Sequence, residues 1–600
     1  MAGRTVRIGG ASAFWGDSMV AAPQLLSSGA VDYLIFDYLA EITMSIMARM
    51  RAKDPTQGYA TDFVTVTMKR LLPEIARRKV KIVSNAGGVN PAACAAAIRQ
   101  LIEQAGLNLK VGVVLGDDLM PDMEKLKPLL EPMQPGAPDG RRAPERFMSA
   151  NAYLGAAPIA AALRAGADIV VTGRCVDSAL CLGALIHEFG WDIRDFDRLA
   201  AGSLAGHIIE CGAQATGGLF TDWRHVPDWD DIGYPIAEVS ADGGIVITKP
   251  ENTGGLVSFG TVAEQLVYEI GDPACYKLPD VTCDFSAVTI EEIGADRVRV
   301  SGARDRPPSD RYKVSATYLD GFRAVAHLTI GGTEARAKAE RTAEAILKRT
   351  RRIFTMANLG DYRAVSMEVL GAEAMYGPHA GPGAAASREV VLKLAVSHAD
   401  KAALEIFARE IAPAGTSFSP GTTGFFGGRP TPQPVMRLFS CLIPKAAVPV
   451  SLELDGQPQR LDLPVIAGDT GGAPAGKPVP APLPDEPRHA VPLVRLAYAR
   501  SGDKGDDSNI GVIARRPEYL AAIRAALTED AVRRYFSHLV EGGIERFEWP
   551  GINGLNFVLH QALGGGGIAS LRNDPQGKAY AQMLLDYPIP VPASWGLAAE

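Results

Sequence analysis

Charged and amide side chains follow several short apolar runs in the first 200 residues. Asp37, Asn85, Asp117 and Arg174 each lie within three residues of the end of such a run, and Asp177 follows Arg174 closely. Carboxylates act as general bases or as ligands of a hard cation, and a guanidinium can hold a substrate carboxylate or phosphate. We therefore predict that Asp37, Asp117, Asp177 and Arg174 are catalytic, with a divalent metal as an option.

The same residues also have structural interpretations. Carboxylates at helix N-termini are ordinary caps. Arg174 could pair with Asp37 or Asp117 across neighbouring strand ends instead of facing a substrate. Both interpretations stay open at this point.

A glycine-containing segment, Ser84-Asn-Ala-Gly-Gly-Val-Asn-Pro91, lies between a predicted strand and a predicted helix. Free backbone N–H groups at such a helix start can hold a carboxylate or phosphate. We therefore predict that Asn85, Gly87 and Gly88 bind substrate. The alternative is a tight turn that leads into a capped helix.

Two later polar segments are also candidates for binding. The segment Pro-Gly-Thr-Thr-Gly-Phe-Phe-Gly-Gly-Arg-Pro combines glycines and aromatic rings with Thr422, Thr423 and Arg429. These three residues would suit an acyl or pantetheine group with a nearby anion. Lys504, in Ser-Gly-Asp-Lys-Gly-Asp-Asp-Ser-Asn, could bind phosphate, although a long polar hairpin would explain the same residues.

Cys211 provides a different chemical hypothesis. Glu210 precedes it and His207 lies four residues upstream. A base could activate the thiol as a nucleophile, which would make the protein a cysteine-dependent hydrolase. Most cysteines in such apolar surroundings are inert, however.

The composition indicates a globular protein of the cytoplasm that acts on small molecules. The 600 residues carry 61 Lys and Arg against 68 Asp and Glu, a net charge of −7, which argues against nucleic acid as a partner. No apolar run reaches the roughly 18 residues of a membrane span, and no secretory signal is expected. The seven cysteines contain no Cys-x-x-Cys pair, as expected in a reducing compartment.

The apolar runs predict the elements that must position these side chains. They are Val6–Gly10, Tyr33–Phe36, Lys81–Val83, Val111–Leu115 and Ile169–Val171. Continuous apolar runs of this length are typical of parallel strands that are covered on both faces. Because the carboxyl ends of parallel strands meet at one edge, the polar residues after them should converge. The runs do not decide between an open sheet and a barrel.

The pattern changes near residue 310. Arg311–Tyr318 and Phe322–Ile330 around Asp320-Gly321 predict a hairpin. Further predicted elements are a helix over Thr333–Thr350, strands over Ala364–Val369 and Glu389–Ser397, and a helix over Lys401–Glu410. A Pro-rich stretch then predicts a linker, followed by strands over Val491–Arg500 and Asn509–Ala514 and a helix over Glu518–Leu539.

The fold class is therefore α/β with four parts. We predict a parallel α/β domain over 1–305, an α+β domain over 306–465, a linker over 466–488 and a small α/β domain over 489–600.

Several long motifs carry a family resemblance. They are Arg7-Ile-Gly-Gly-Ala-Ser-Ala-Phe-Trp-Gly-Asp17, Gly58-Tyr-Ala-Thr-Asp62, Thr172-Gly-Arg-Cys-Val-Asp177, Glu210-Cys-Gly-Ala-Gln-Ala-Thr-Gly-Gly218 and the segments that contain Asn85 and Arg429. The chain resembles the acyclic terpene utilisation AtuA family over nearly its whole length. Its last part, with Arg500-Ser-Gly-Asp-Lys and Asn556-Phe-Val-Leu-His560, resembles the small domain often fused to that family.

The resemblance implies a bacterial role in the breakdown of acyclic terpenoids such as citronellol and geraniol, or of related branched acids, as coenzyme A thioesters. We expect a hydratase or carbon–carbon lyase with coenzyme A as part of the substrate, because no dinucleotide, thiamine or pyridoxal signature is evident. A non-catalytic acyl-CoA-binding or scaffold protein of the same pathway is the alternative. We also expect a homo-oligomer.

Overall fold

The computed structural model describes residues 4–28, 31–133, 143–425, 427–454, 456–466, 468, 483–567 and 569–597. In chain order the strands are β1 (Thr5–Gly10), β2 (Tyr33–Phe36), β3 (Lys81–Ser84), β4 (Val111–Leu115), β5 (Glu131–Pro132), β6 (Ser149–Ala152), β7 (Ile169–Thr172), β8 (Ile236–Ser240), β9 (Ile245–Thr248), β10 (Tyr276–Lys277), β11 (Thr282–Asp284), β12 (Thr289–Gly294), β13 (Arg297–Ser301), β14 (Arg304–Arg306), β15 (Arg311–Gly331), β16 (Ala364–Leu370), β17 (Glu389–His398), β18 (Thr422–Phe425), β19 (Gln433–Pro444), β20 (Ser451–Leu454), β21 (Gln457–Arg460), β22 (Arg488–Pro492), β23 (Ala497–Lys504), β24 (Asp507–Ala514), β25 (Ile544–Trp549), β26 (Gly554–Leu559) and β27 (Pro588–Pro592).

The α-helices follow the same order. They are α1 (Ala21–Ser27), α2 (Glu41–Lys53), α3 (Lys69–Arg78), α4 (Pro91–Gln104), α5 (Met123–Leu126), α6 (Ala157–Arg164), α7 (Ala179–Phe189), α8 (Phe196–Ile209), α9 (Phe259–Val267), α10 (Ala335–Met356), α11 (Lys401–Ile411), α12 (Ala414–Ser417), α13 (Leu520–Ala526), α14 (Glu529–Tyr535) and α15 (Tyr580–Leu584). Among the described residues, no helix is both long and apolar enough to cross a membrane.

A mixed open sheet of 11 strands forms the first domain, in the order β12-β13-β9-β8-β1-β2-β3-β7-β4-β20-β21. The five central strands β1, β2, β3, β7 and β4 run parallel, and their neighbours on both sides are antiparallel. Tyr33 and Ile35 belong to one hydrophobic cluster, whereas Leu34 and Phe36 of the same strand belong to another. Because both faces are covered, the strands are continuously apolar, as the sequence predicted.

The middle domain is built on an antiparallel sheet of seven strands. The predicted hairpin around Asp320-Gly321 is wrong, because β15 runs straight through it from Arg311 to Gly331. The neighbouring strand β19 pairs with β15 on both sides of this point, and the register shifts between Leu319 and Phe322. Gly321 has φ +76°, so its positive φ produces a bulge within one strand instead of a turn.

The other elements predicted for this domain are confirmed. Helix α11 and strands β16 and β17 begin and end within one residue of the predicted positions, whereas α10 extends six residues past its predicted end. The α11 helix begins after Asp400, whose side chain accepts a hydrogen bond from the Ala402 N–H at 2.9 Å. The pairing of α10 and α11 with one antiparallel sheet gives the expected α+β arrangement.

Strands cross the predicted boundary at residue 305 in both directions. From the first part of the chain, β5 and β6 pair with β19 and β15 of the middle sheet. In return, β20 pairs with β4 at one side of the large sheet. Sequence runs cannot reveal such exchanges, since a strand of two to four residues fits either sheet. The predicted linker over 466–488 lies mostly outside the described residues.

The C-terminal domain contains a four-stranded antiparallel sheet, β23-β24-β26-β25, with α13, α14 and α15. The segment Val491–Arg500 was predicted as one strand, but a 3₁₀ turn over Leu493–Arg495 divides it into β22 and β23. The single helix predicted over Glu518–Leu539 is also wrong. Thr528 starts a new helix there, because its side chain caps α14 by accepting from the Ala531 N–H at 3.1 Å.

Two buried asparagines hold the C-terminal domain against the first domain. The Asn509 Nδ2 group donates to the Val267 carbonyl at 2.8 Å, and the Asn556 Nδ2 group donates to the Ile270 carbonyl at 2.8 Å. Both side chains therefore bind the end of α9 and the segment that follows it. This docking fixes the end of β23, and with it Lys504, beside the first domain.

The bulge in β15 gives the first testable prediction. Gly321→Ala would place a Cβ 2.7 Å from the His398 carbonyl oxygen at a positive φ. We expect a loss of about 1–2 kcal/mol or more, because the left-handed region alone costs a non-glycine residue that much. Thermal unfolding of this variant and of Gly360→Ala, where no atom lies within 4 Å of the added Cβ, provides the measurement and its control. Equal unfolding temperatures in the Gly321→Ala and Gly360→Ala variants would contradict the requirement for glycine at this bulge.

Candidate active site

Asp37 and Asn85 meet at the ends of β2 and β3. The Asn85 Nδ2 group donates to Asp37 Oδ1 at 2.6 Å, and the Tyr38 N–H donates to Asn85 Oδ1 at 2.7 Å. Both side chains are buried, with exposures of 5% for Asp37 and 0% for Asn85. The structure therefore uses the predicted substrate ligand Asn85 to orient the carboxyl of Asp37.

Arg174 is the buried cation of the site, with an exposure of 3%. Its Nη1 atom donates to Asp177 Oδ1 at 2.6 Å and to the Cys175 carbonyl at 3.0 Å. Asp117 accepts from the Arg174 backbone N–H at 2.8 Å, not from the guanidinium. Among the described residues, Arg174 Nε has no hydrogen-bond partner. The guanidinium thus pairs with Asp177, and neither of the pairs considered from the sequence is formed.

Asp37, Arg174, Asp177 and Glu210 form one electrostatic unit, which we name the Arg174 cluster. Burial raises the pKa of Asp37 well above its usual value, and the charges of Asp177 and Glu210 add to that effect. Arg174 and Asn85 oppose it. A buried carboxyl with a raised pKa keeps its proton to a higher pH than an exposed carboxyl does.

Tyr153 connects this cluster to a cavity. The guanidinium of Arg174 lies 4.1 Å from the centre of the Tyr153 ring, and Lys313 Nζ lies 4.7 Å from the same centre. The Tyr153 hydroxyl donates to Glu41 Oε1 at 2.8 Å, at the start of α2. Burial opposes ionisation of Glu41, but Lys313, Arg174 and Lys504 hold its pKa below the usual range.

The cavity has a volume of about 540 Å³ and is lined by all three domains, so we name it the composite cavity. Glu41 comes from the first domain, Lys313 and Arg437 from the middle domain, and Lys504 and His560 from the C-terminal domain. Volumes of this size are typical of small-molecule sites. Its lining mixes cations and carboxylates with apolar side chains such as Leu438 and Phe439. It therefore suits a ligand that carries both polar and apolar groups.

Lys504 is held in the composite cavity by an ion pair across the domain interface. Its Nζ atom lies 2.8 Å from Glu269 Oε2, and the side chain keeps 47% of its exposure. Burial opposes the charge of Lys504, but Glu269, Tyr276, Asp177 and Glu41 raise its pKa well above the usual value. Lys504 therefore keeps its positive charge next to the cavity, where it can meet an anion.

His207 and Glu210 are the residues whose pairing the sequence did not predict. His207 Nδ1 lies 3.0 Å from Glu210 Oε1, and its Nε2 lies 3.1 Å from the Leu266 carbonyl oxygen. Burial raises the pKa of Glu210 to about 7, against the hydrogen bond from His207. A signal was present in the sequence, because a His-x-x-Glu spacing places both side chains on one face of a helix.

A glycine at the end of β1 permits this arrangement. A Cβ at Gly10 would lie 2.0 Å from the Ile209 carbonyl oxygen, so only glycine lets the end of α8 approach β1. Glu210 is the next residue and is thereby brought to the strand ends.

The structure does not support Cys211 as a nucleophile. Both ring nitrogens of His207 are engaged by Glu210 and Leu266, so the imidazole does not activate the thiol. Burial raises the pKa of Cys211 well above its usual value, and the charges of Glu210 and Glu269 add to it. The thiol is therefore held protonated, which is the inert form.

The glycines of the segment after β3 are buried, and their amides are already used. The Gly87 N–H donates to the Thr172 carbonyl at 3.1 Å, and the Gly88 N–H donates to the Asn85 carbonyl at 3.2 Å. The expectation of free donors at Gly87 and Gly88 is corrected on this point, because the loop folds back on itself and on β7. These amides brace the strand ends.

Thr422, Thr423 and Arg429 lie elsewhere. Thr422 and Thr423 belong to β18, which pairs with β15 near Ile330. The composite cavity is lined by Thr317 of the same strand, roughly 40 Å of chain away at about 3.3 Å per residue. Thr423 and Arg429 are exposed. The structure does not bring these residues to the cavity, because β15 is one long strand and not a hairpin.

The described residues contain no group of three or more His, Cys, Asp or Glu side chains arranged to hold a metal ion. Asp117, which the sequence offered as a ligand, instead accepts from Asn151 Nδ2 at 2.8 Å and from the Arg174 amide. Its oxygens serve the protein interior.

Two family models match the chain. The model of the acyclic terpene utilisation family protein AtuA matches residues 6–454, and the model of the AtuA ferredoxin-like domain matches residues 491–590. No curated protein and no solved structure matches the chain. The first model covers the Arg174 cluster, and the second covers Lys504.

Asp117 gives a prediction about stability and pH. Burial raises its pKa from 3.8 to about 7. Between these values the folded carboxyl keeps a proton that the unfolded chain has lost, so stability falls as the pH rises from about 4 to about 7. The amide of the Asp117→Asn variant does not titrate in this range, so the variant lacks this pH-dependent contribution to stability. We expect the variant to be more destabilised, relative to the parent protein, at pH 5 than at pH 8; unfolding temperatures that run in parallel would disprove this.

Proposed function

Because the chain belongs to the acyclic terpene utilisation AtuA family, which implies involvement in acyclic terpene utilisation, we propose that it is an enzyme of that catabolism. Its substrate is a branched acyl thioester of coenzyme A. Its reaction is that of a hydratase or a carbon–carbon lyase, in which proton transfer makes or breaks a bond beside the thioester carbonyl.

One observation carries the proposal. Asp37 and Glu210, two buried carboxyl groups with raised pKa values, belong to the Arg174 cluster, and Tyr153 connects that cluster to the composite cavity. A carboxyl whose pKa lies near the working pH is suited to general acid–base catalysis. Hydratases and lyases that act beside a carbonyl require this chemistry.

The cations of the composite cavity have a binding role. Lys313 and Lys504 both line it, and each lowers the pKa of the Glu41 carboxylate. An ammonium group can hold a phosphate or carboxylate as a point charge, and it can stabilise the negative charge that develops on a thioester oxygen. Arg174 has the different role of keeping Asp177 and Asp37 together.

Native mass spectrometry provides the direct test. The protein is incubated with a panel of linear, branched and unsaturated acyl-CoA thioesters, and bound ligand and product are both recorded. We expect a complex with branched members and a product that differs by about 18 mass units where water is added or removed. Binding without conversion of any member would favour the non-catalytic alternative, and absence of both would reject the thioester.

A pair of variants tests the site. Arg174→Gln removes the buried charge, and we expect kcat to fall by at least about 100-fold, because the carboxyl groups lose their partner. Arg429→Gln is the matched control, since this arginine is exposed and is not among the residues that line the composite cavity. Steady-state kinetics on the best substrate should leave Arg429→Gln close to the parent value. Equal losses in both variants would contradict the assigned site.

A further inference from the structure

A second cavity lies in the first domain and is separate from the composite cavity. It has a volume of about 220 Å³, and no described residue lines both cavities. Its lining comes from the segment after β1, from the end of β2 and from the helical region before β3. Open α/β sheets bind ligands at the carboxyl ends of their parallel strands. We name this space the strand-end cavity.

The ends of two sequence motifs meet at the strand-end cavity. Asp62 ends the motif Gly58–Asp62, and its Oδ1 atom accepts a hydrogen bond from Trp15 Nε1 at 2.6 Å. Trp15 belongs to the motif Arg7–Asp17. Asp62 also lies directly before a π-helix over Phe63–Met68. Since π-helical turns are rare and occur frequently at functional sites, this position indicates a role beyond folding.

Asp62 and Arg70 give the cavity two opposite charges. Both residues line it, and Arg70 comes eight residues after Asp62, about two helical turns further on. Among the described residues, neither forms an ion pair with the other or with a third residue. The hydrogen bond from Trp15 goes to Oδ1, so Asp62 Oδ2 has no partner in the described part of the chain. Opposite charges that line one cavity without pairing suit a ligand that carries both charges.

Asp17 shapes the cavity and adds to its negative charge. Its Oδ2 atom accepts from the Ala13 N–H at 2.8 Å, and its Oδ1 atom accepts from the Ser18 N–H at 2.7 Å. Both oxygens therefore already hold the segment after β1, which leaves Asp62 as the carboxylate for a ligand. With two carboxylates and one guanidinium in the lining, a positive group on the ligand is favoured over a second negative one.

The remaining lining is largely apolar and limits the size of the ligand. Phe36, Val66 and Leu71 line the cavity, and Val66 keeps 38% of its exposure. The volume of about 220 Å³ is below the roughly 300–1,000 Å³ of cavities that hold drug-sized ligands. A short aliphatic chain between the two charged groups therefore fits the space.

We propose that the strand-end cavity binds a small zwitterionic amino acid. The ammonium group of the ligand contacts Asp62 Oδ2, its carboxylate contacts the Arg70 guanidinium, and its aliphatic part packs against Val66. A guanidinium is suited to this task because it donates two parallel hydrogen bonds to a carboxylate. The inference goes beyond the proposed function, since this ligand is not a thioester and the composite cavity takes no part in binding it.

Isothermal titration calorimetry tests the class of ligand. The panel contains aliphatic α-amino acids, γ-aminobutyrate, butyrate, which lacks the ammonium group, and butylamine, which lacks the carboxylate. We expect binding of an amino acid at least about tenfold tighter than of butyrate or butylamine, because each of these forms only one of the two charged contacts. The α- and γ-amino acids show which separation of charges the cavity takes. No binding of any amino acid, or equal binding of butyrate, would overturn the inference.

Three variants test the residues. Arg70→Gln and Asp62→Asn should each weaken binding at least about tenfold. The amide oxygen of Asp62→Asn can still accept from Trp15, so the contact between the two motifs is kept. Lys69→Gln is the matched control, because Lys69 is an exposed cation next to Arg70 that does not line the cavity. Equal affinity in all three variants and the parent protein would place binding elsewhere and reject the site.

Tryptophan fluorescence gives an independent readout of the location. The Trp15 indole donates to Asp62, so a ligand at Asp62 should change its emission. Trp15→Phe leaves five of the six tryptophans and should abolish the change. A change that persists in Trp15→Phe would contradict binding at Asp62.

These experiments use no thioester, so their outcome is independent of the proposed function. Amino-acid binding in a protein that converts no thioester would leave this inference standing and reject the proposed function. Thioester turnover without amino-acid binding would have the opposite meaning.

Discussion

The buried charge of Arg174 is the constraint on which the rest of the site depends. Removing a guanidinium from water costs several kcal/mol unless close partners compensate it. Asp177 does so at 2.6 Å, and the face of Tyr153 does so at 4.1 Å. These partners must stay where the strand ends place them, since loss of one side of a buried pair costs about 3–5 kcal/mol. The same charge permits Asp37 to lie close to Asp177.

The composite cavity depends on docking of the C-terminal domain as much as on the large sheet. Arg515 donates two hydrogen bonds to the carboxylate of Asp222, both at 2.6 Å, and this fork adds to the two asparagine contacts. Glu269 lies between the domains with φ +60°, and its N–H donates to Asn509 Oδ1 at 3.0 Å. A strained backbone position of this kind persists only where the surroundings hold it. The position of Lys504 is therefore a product of the interface.

The chemistry of the site follows from burial more than from residue type. Asp117, Glu210 and Glu264 are all buried carboxyl groups whose pKa values are raised to about 7, yet their partners differ. Asp117 and Glu264 accept backbone N–H groups, whereas Glu210 contacts a titratable imidazole and keeps one oxygen free. The same raised pKa therefore accompanies two different environments, a titratable partner for Glu210 and backbone donors for Asp117 and Glu264.

The sequence by itself determined the central strands of the large sheet and the edge at which the polar residues gather. Apolar runs such as Tyr33–Phe36 specify strands covered on both faces, and the residues after them must meet because parallel strands end on one side. Only the tertiary structure decided which distant parts of the chain each of these side chains contacts. The straight course of β15 separates Thr422 from the cavity, the end of α8 at Gly10 brings Glu210 in, and domain docking places Lys504. These contacts join residues far apart in the chain, and a local pattern carries no information about which distant surfaces pack together.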